Sequence, residues 1–365
     1  MVVSLSFIRY FSSDPHHPHS FTLSYLTKTC GLSPQSAIAA SKIVQFESSE
    51  QPDSVLPSFQ NFGFSKIQLS EMIKKFPKLL SCSPDKTIFP KIEFFCSKGA
   101  STPDLVTIFT VNPWILKMSL ESKLVASFNF FVELFQSEHK AIELIKRNPR
   151  VLSYSIEAVI IPNMNTLREN GVSESNILWV IQNHCQCLGI NTVKFGKIVE
   201  EIKEMEFNPL KSAFVQAITI FIGVTKPKRD QKVEVYKRWG WSDNDVITAF
   251  KKYPWCLSIS EDKLMAVMDF YVNTLGFDSS VIMNCPILLG YSLKKRLIPR
   301  GAVIQFLSSK GLLKLESSIT DLFICSERRF LEKYVNCHQE APQLVKLYNH
   351  NLNLFDTSKS GKDEE

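Results

Sequence analysis

Apolar residues along this chain recur at helical spacing, in short bursts that stop and restart. Leu105, Ile108 and Phe109 fall on one helical face, and so do Ala141, Ile142 and Ile145. Ile88, Ile92 and Phe95 do the same over a longer stretch, residues 83–98. No alternating apolar and polar run of useful length appears, so essentially no strand is expected. The most apolar run, residues 213–224, contains Gln216 and Thr219. It falls short of the roughly 18 residues of a membrane span and reads as a buried helix.

The punctuation between these bursts is periodic. A glycine followed two residues later by a helix-capping residue occurs at Gly31-Leu32-Ser33, Gly63-Phe64-Ser65, Gly99-Ala100-Ser101, Gly171-Val172-Ser173, Gly240-Trp241-Ser242 and Gly276-Phe277-Asp278. The spacings are 32, 36, 72, 69 and 36. The long gaps divide at Phe135-Gln136-Ser137 and at Phe207-Asn208, and Gly311 follows Gly276 by 35 residues. The period is therefore 32–36 residues. Fourteen residues after each start stands Pro77, Pro113, Pro149 or Pro254, with Cys185, Phe221 and Cys325 at the same offset. Pro286 arrives only ten after Gly276, a deletion of about one helical turn. Leu80, Leu116, Leu152, Leu257 and Leu289 follow the prolines by three. Ser83, Ser119, Ser155, Ser260 and Ser292 follow by six, making five copies of P-x-x-L-x-x-S in phase.

Each landmark has a mechanical meaning. Glycine ends a helix in a left-handed conformation that other residues reach at a cost. Ser or Asp caps the next helix, with capping-box spacing in Ser65-x-x-Gln68. Proline stops that short helix by removing a donor and restricting its predecessor. The following Leu drops into the core, and the Ser six positions on caps a longer helix. About eight such units over residues 31–345 predict an all-α helical-repeat solenoid whose core is continuous between neighbouring units.

A helical repeat of this length with a proline turn, P-x-x-L and a capping Ser resembles the mitochondrial transcription termination factor (mTERF) family. Phe21-Thr22-Leu23-Ser24-Tyr25-Leu26 leading to Cys30-Gly31-Leu32-Ser33 resembles its plant members, as do Ile298-Pro299-Arg300 and Gly311-Leu312. The resemblance covers residues 21–345. It implies a right-handed superhelix that binds nucleic acid in mitochondria or chloroplasts. Family members influence organelle transcription, and some act in RNA processing or ribosome assembly. Cys185 and Phe221 depart from the pattern where proline is expected. The family's base-contacting residues do not lie on these landmarks and are not transferred. The expected organisation is a leader over 1–20, the repeat superhelix over 21–350 and a polar tail over 351–365.

Composition adds limits. The 365 residues are 44% apolar and 21% charged, which excludes disorder for most of the chain. The 27 phenylalanines fit thin layers that bury large side chains, among them Phe94, Phe95, Phe130, Phe131 and Phe270. The nine cysteines include no CxxC; Cys185 and Cys187 beside His184 have no second half elsewhere. Most are expected to be buried reduced thiols, with no metal and no cofactor. Residues 1–13 carry Arg9, four serines and no acid, which fits an organelle transit peptide. Arg9-Tyr10-Phe11-Ser12 resembles a matrix-processing pattern, favouring the mitochondrion over the chloroplast. His16, His17 and His19 read as solvated linker.

The net charge of +6 hides an uneven distribution. Residues 226–256 carry 8 basic and 4 acidic side chains, and residues 290–333 carry 9 and 4. Basic residues also recur near the proline in successive units: Lys74, Lys75 and Lys78; Lys146, Arg147 and Arg150; Lys251 and Lys252. Recurrence at one place in each unit predicts a ridge able to follow a phosphate backbone. The competing reading is that cations at helix C-termini merely complement the helix dipole. Lys226, Lys228 and Arg229 are expected in a loop by Pro227. Lys294, Lys295, Arg296 and Arg300 head the last long helix, where positive charge opposes the dipole and calls for another reason.

The expected function is non-enzymatic binding of organellar nucleic acid, double-stranded DNA favoured, in transcription termination or regulation. An RNA-binding role in intron splicing or ribosome assembly is the first alternative, and a protein-interaction scaffold the second. No Walker loop, GxGxxG, GxSxG or HExxH is present. A monomer without membrane association is expected, with protein partners open.

Overall fold

The computed structural model describes residues 18–313 and 319–353. The expected transit peptide therefore lies outside the described residues, as does most of the expected tail. Helices Pro18–Lys28 and Ala341–Asn353 reach slightly into the segments assigned to leader and tail. All regular structure among the described residues is helical.

The repeat is built as its punctuation dictates. Seven glycines, Gly31, Gly63, Gly99, Gly171, Gly240, Gly276 and Gly311, have φ between 69° and 86°. In the second repeat Ser65 Oγ accepts from the Gln68 N–H while Gln68 Oε1 accepts from the Ser65 N–H, closing the capping box at the head of helix Lys66–Lys75. A proline turn follows at Pro77–Ser81, and again at Pro113–Lys117, Pro149–Ser153, Pro254–Ser258 and Pro286–Gly290. Leu80, Leu116, Leu152, Leu257 and Leu289 are all buried. Ser83, Ser119, Ser155, Ser260 and Ser292 each accept from a backbone N–H three residues on. Several of the long helices open on a wide first turn, with i to i+5 bonds such as Leu124 N to Ser119 O and Ile160 N to Ser155 O.

Four local expectations are corrected. The left-handed residue of the fourth repeat is Gln136 (φ 50°), not Phe135. The corresponding residue two repeats later is Glu206 (φ 59°), so Phe207 aligns with the buried Phe64 and Trp241 rather than with glycine. Phe221 keeps its N–H and does not break the chain, so helix Ser212–Gly223 runs through the slot and no proline-type turn forms there. Finally, helices Glu327–Tyr334 and Ala341–Asn353 follow the helix Ile298–Ser309 that the sequence suggested was the last long one.

The chain divides into two compact units. Among the described residues, one comprises 18–164 with Ile181–Thr192, the other Asn165–Val180 with 193–313 and 319–353. In the first, aromatic rings tie repeats together: Phe109 meets Phe59 at 6.3 Å and Phe95 at 5.8 Å, and Phe94 meets Phe128 at 5.7 Å. Phe95 and Phe131 are fully buried, whereas Phe94 and Phe130 are half-buried. In the second, Phe250 packs on Phe207 and Phe221, and Phe323 on Phe270 and Tyr271. Burying such side chains contributes about 1.5–3 kcal/mol each, which is how thin helical layers hold.

Candidate nucleic-acid interface

The proline turns set the positions of the cations. Within the first unit, consecutive turns at Pro113–Lys117, Pro149–Ser153 and Cys185–Cys187 pack on one another and form an edge of the stack. The residue after the proline, or after Cys185 in its place, is exposed in successive repeats: Lys78, Trp114, Arg150 and Gln186. Lys78 and Arg150 are exposed, and Trp114 is 49% exposed with its inner side against Phe76 at 4.9 Å.

The residue two before the proline has a different task. Lys75 Nζ donates to the Thr110 carbonyl at 2.7 Å, Arg147 to the Gln182 carbonyl at 3.4 Å and Lys252 to the Asn284 carbonyl at 3.3 Å. Each acceptor belongs to the last turn of the next repeat's short helix, where carbonyls lack helical partners. These three cations complement the neighbour's helix end and remain at the surface, Lys75, Arg147 and Lys252 all being exposed.

Others are held by carboxylates. Lys146 is half-buried, 3.0 Å from Asp104 and 2.9 Å from Glu143, and hydrogen bonding first to Glu143 and then to Asp104 raises its pKa. Lys251 pairs with the exposed Glu206 at 2.9 Å.

In the second unit three expectations change. Lys226, Lys228 and Arg229 are not in a loop: they form the first turn of helix Lys226–Lys237, with Thr225 as its N-cap residue. Arg229 turns inward. It lies over the Phe221 ring at 3.8 Å and donates to the carbonyls of Phe221 and Val224, capping the preceding helix. Arg296 donates to the carbonyls of Phe323, Ile324 and Cys325 at 2.7–2.9 Å. Arg300 is 1% exposed, stacks on Phe330 at 4.5 Å and donates to the carbonyls of Leu322, Phe323 and Cys325. Arg300 therefore offers nothing to solvent, and the half-buried Arg296 commits its Nε and Nη2 donors to its three carbonyls. Their positive charge at a helix start is explained by the carbonyls across the repeat interface.

Of the cations the sequence singled out, those left exposed and without a side-chain hydrogen bond or ion pair among the described residues are Lys74, Lys78, Arg150, Lys226, Lys228 and Lys295; Lys294 is exposed beside them. Arg147 and Arg150 are also brought together. With Asn148, Tyr154, Gln182 and Gln186 they line a cavity of about 400 Å³. Guanidinium and carboxamide groups are the side chains that read phosphates and base edges. The carboxamides were missed from the sequence, although Asn148 and Gln186 flank landmark positions. Trp114 was missed too, although its place after Pro113 matches Lys78 and Arg150 in phase.

The expectation that most cysteines are buried is corrected: Cys30, Cys185, Cys187 and Cys256 are buried, while Cys96 and Cys337 are exposed. Burial pushes Cys185 and Cys256 up to about 12, which keeps them protonated at neutral pH. Among the described residues no group of His, Cys, Asp and Glu is placed to hold a metal ion, and no helix is long and apolar enough to cross a membrane.

Comparison with known proteins agrees with the repeat. The mTERF family model matches residues 22–106, 56–218 and 212–331. Transcription termination factor MTERF15, mitochondrial, of Arabidopsis thaliana is 24% identical over 177 residues, 48% of this chain. The matched part spans only 39% of that relative's length. With the family model covering most of its length, the chain belongs to the mTERF family.

Proposed function

We propose that this protein binds organellar nucleic acid, with double-stranded DNA as the favoured target, and acts in transcription termination or its regulation. The observation that carries the reading is a set of exposed cations without partners, of which Lys78 and Arg150 recur one residue after the proline. Lys74, Lys78 and Arg150 stand free of partners in the first unit, and Lys226, Lys228 and Lys295 in the second. Phosphate neutralisation by such groups supplies affinity, while the cavity of Arg147, Asn148, Arg150, Gln182 and Gln186 supplies donors suited to base edges. Family membership and the mitochondrial relative support an organellar setting, the mitochondrion first and the chloroplast second. The protein acts as a monomer without catalysis.

A second reading, binding of single-stranded RNA, is favoured by one feature. Trp114 presents an open face between Lys78 and Arg150, where an unpaired base can stack. Filter binding of duplex DNA and single-stranded RNA over a salt series separates the two. Duplex preference with log K falling steeply against log salt is expected, the slope changing by about 0.9 for each phosphate that is no longer neutralised. The double variant Lys78→Ala/Arg150→Ala should flatten the slope by about 2 without changing stability by more than about 0.5 kcal/mol. Absence of binding to either nucleic acid at low salt would sink the proposal.

A further inference from the structure

Lys232 is a cation that the basic clusters of the sequence did not single out. It sits mid-helix in Lys226–Lys237, on the same inward face as Val235 and Tyr236, and is only 8% exposed. A buried ammonium is costly unless it is hydrogen-bonded or ion-paired, and Lys232 has neither among the described residues. Burial lowers its pKa, the more distant charges of Glu261 and Asp262 opposing this only in part. Those acids do not pair with it, since Glu261 is engaged by Arg238 at 3.0 Å and by Gln231 at 3.3 Å. Nor is Lys232 needed as a helix cap, because Arg229 already serves the carbonyls of Phe221 and Val224.

What Lys232 does have is a cavity of about 360 Å³. Lys228, Gln231, Lys232 and Val235 line one wall from a single helical face. The opposite wall is Ser258, Ser260 and Glu261, where the proline turn hands over to helix Glu261–Asp269. Two ammonium groups, a carboxamide and the Ser260 hydroxyl line it beside a helix N-terminus, and the one carboxylate in its wall, Glu261, is engaged by Arg238 and Gln231. Dispersed point donors of this kind suit a tetrahedral oxyanion better than a planar carboxylate, which favours an arginine fork.

We propose that this cavity binds a phosphate group, with Lys232 as its buried anchor and Lys228 as the cation at its mouth. Resting on the nucleic-acid reading above, the phosphate is a phosphodiester of the bound strand; a free phosphate-bearing small molecule has the same chemistry.

Two measurements on the full chain test it. Thermal melting in millimolar inorganic phosphate is compared with chloride at matched ionic strength. Phosphate should raise the Tm of the wild type and not that of Lys232→Met, whose Tm in chloride should be no lower, because the buried charge is gone. In parallel, binding of a short mixed-sequence DNA duplex is followed over salt. Lys232→Met should weaken it several-fold and flatten the slope by about 0.9. Loss of the phosphate increment with an unchanged DNA slope supports the site and assigns it to a small phosphate ligand. A Lys232-dependent increment in a protein that binds no DNA removes the nucleic-acid reading and leaves the site standing. Equal phosphate stabilisation of both proteins, or none in the wild type, together with an unchanged DNA slope, overturns the proposal. If Lys232→Met does not fold, the exposed Lys228→Gln is read the same way and should lose part of the phosphate increment.

Discussion

Lys91 Nζ donates to the Leu116 carbonyl at 2.5 Å, joining the long helix of one repeat to the proline turn of the next. The position recurs. Fourteen residues after Pro77, Pro113, Pro149 and Pro286 stand Lys91, Ser127, Asn163 and Arg300, all buried. Asn163 Nδ2 donates to the carbonyls of Leu188 and Ile190, and Arg300 to those of Leu322, Phe323 and Cys325. Ser127 is too short to reach, and Lys123, one turn earlier, takes the Tyr154 carbonyl at 2.9 Å instead. The common cause is that these turns end with carbonyls no helix satisfies, and buried carbonyls need donors. Lys91→Ala removes both the donor and the packed stem, and should cost about 2 kcal/mol in urea denaturation.

Arg300 and Lys295 lie one helical turn or so apart and should behave oppositely. Arg300→Ala strands several buried carbonyls and should destabilise by about 3 kcal/mol, with DNA affinity per folded molecule unchanged. Lys295→Ala should leave the melting curve in place and weaken DNA binding. Equal affinity losses for the two variants in gel-shift titration would place Arg300 in the interface after all.

Gln136 carries a left-handed backbone without being glycine. A side chain there costs roughly 1–2 kcal/mol, partly returned by the Gln136 bond to the Glu133 carbonyl. Gln136→Gly should therefore stabilise the protein, by about 1 kcal/mol in chemical denaturation. A destabilised variant would mean that the side-chain bond outweighs the backbone strain.

Burial lowers the pKa of His184 from its usual 6.5. As pH falls through that value the unfolded chain takes up the proton before the folded one does. Folding stability is lost over this window and levels off once the lower folded pKa is passed. Wild type should lose more unfolding free energy than His184→Gln between about pH 7.5 and about pH 5. Parallel pH profiles would contradict this.

Local chemistry, which a sequence displays, determined the repeat. Left-handed glycines, Ser caps and proline turns act within a few residues of themselves, so Gly99, Ser119 and Pro149 do in the fold what their neighbours alone dictate. The apolar faces followed for the same reason, since Ile88, Ile92 and Phe95 need only helical periodicity to share a side. Where a landmark is missing, the backbone still turned within one residue of the phased position: Gln136 and Glu206 took the strained conformation because the packed helices on either side require the chain to turn there.

The fate of each cation was decided by tertiary structure. Lys75, Arg147 and Lys252 share a local position with no local partner; their carbonyls come from the next repeat, some 30 or more residues away. Arg300 and Lys295 look alike in the sequence, yet one is buried under Phe330 and the other meets water. Lys232, only one of the eight basic residues counted over 226–256, proved to be enclosed. Electrostatic roles depend on what stands across an interface, through desolvation and partner geometry, and no periodicity encodes that in one repeat alone.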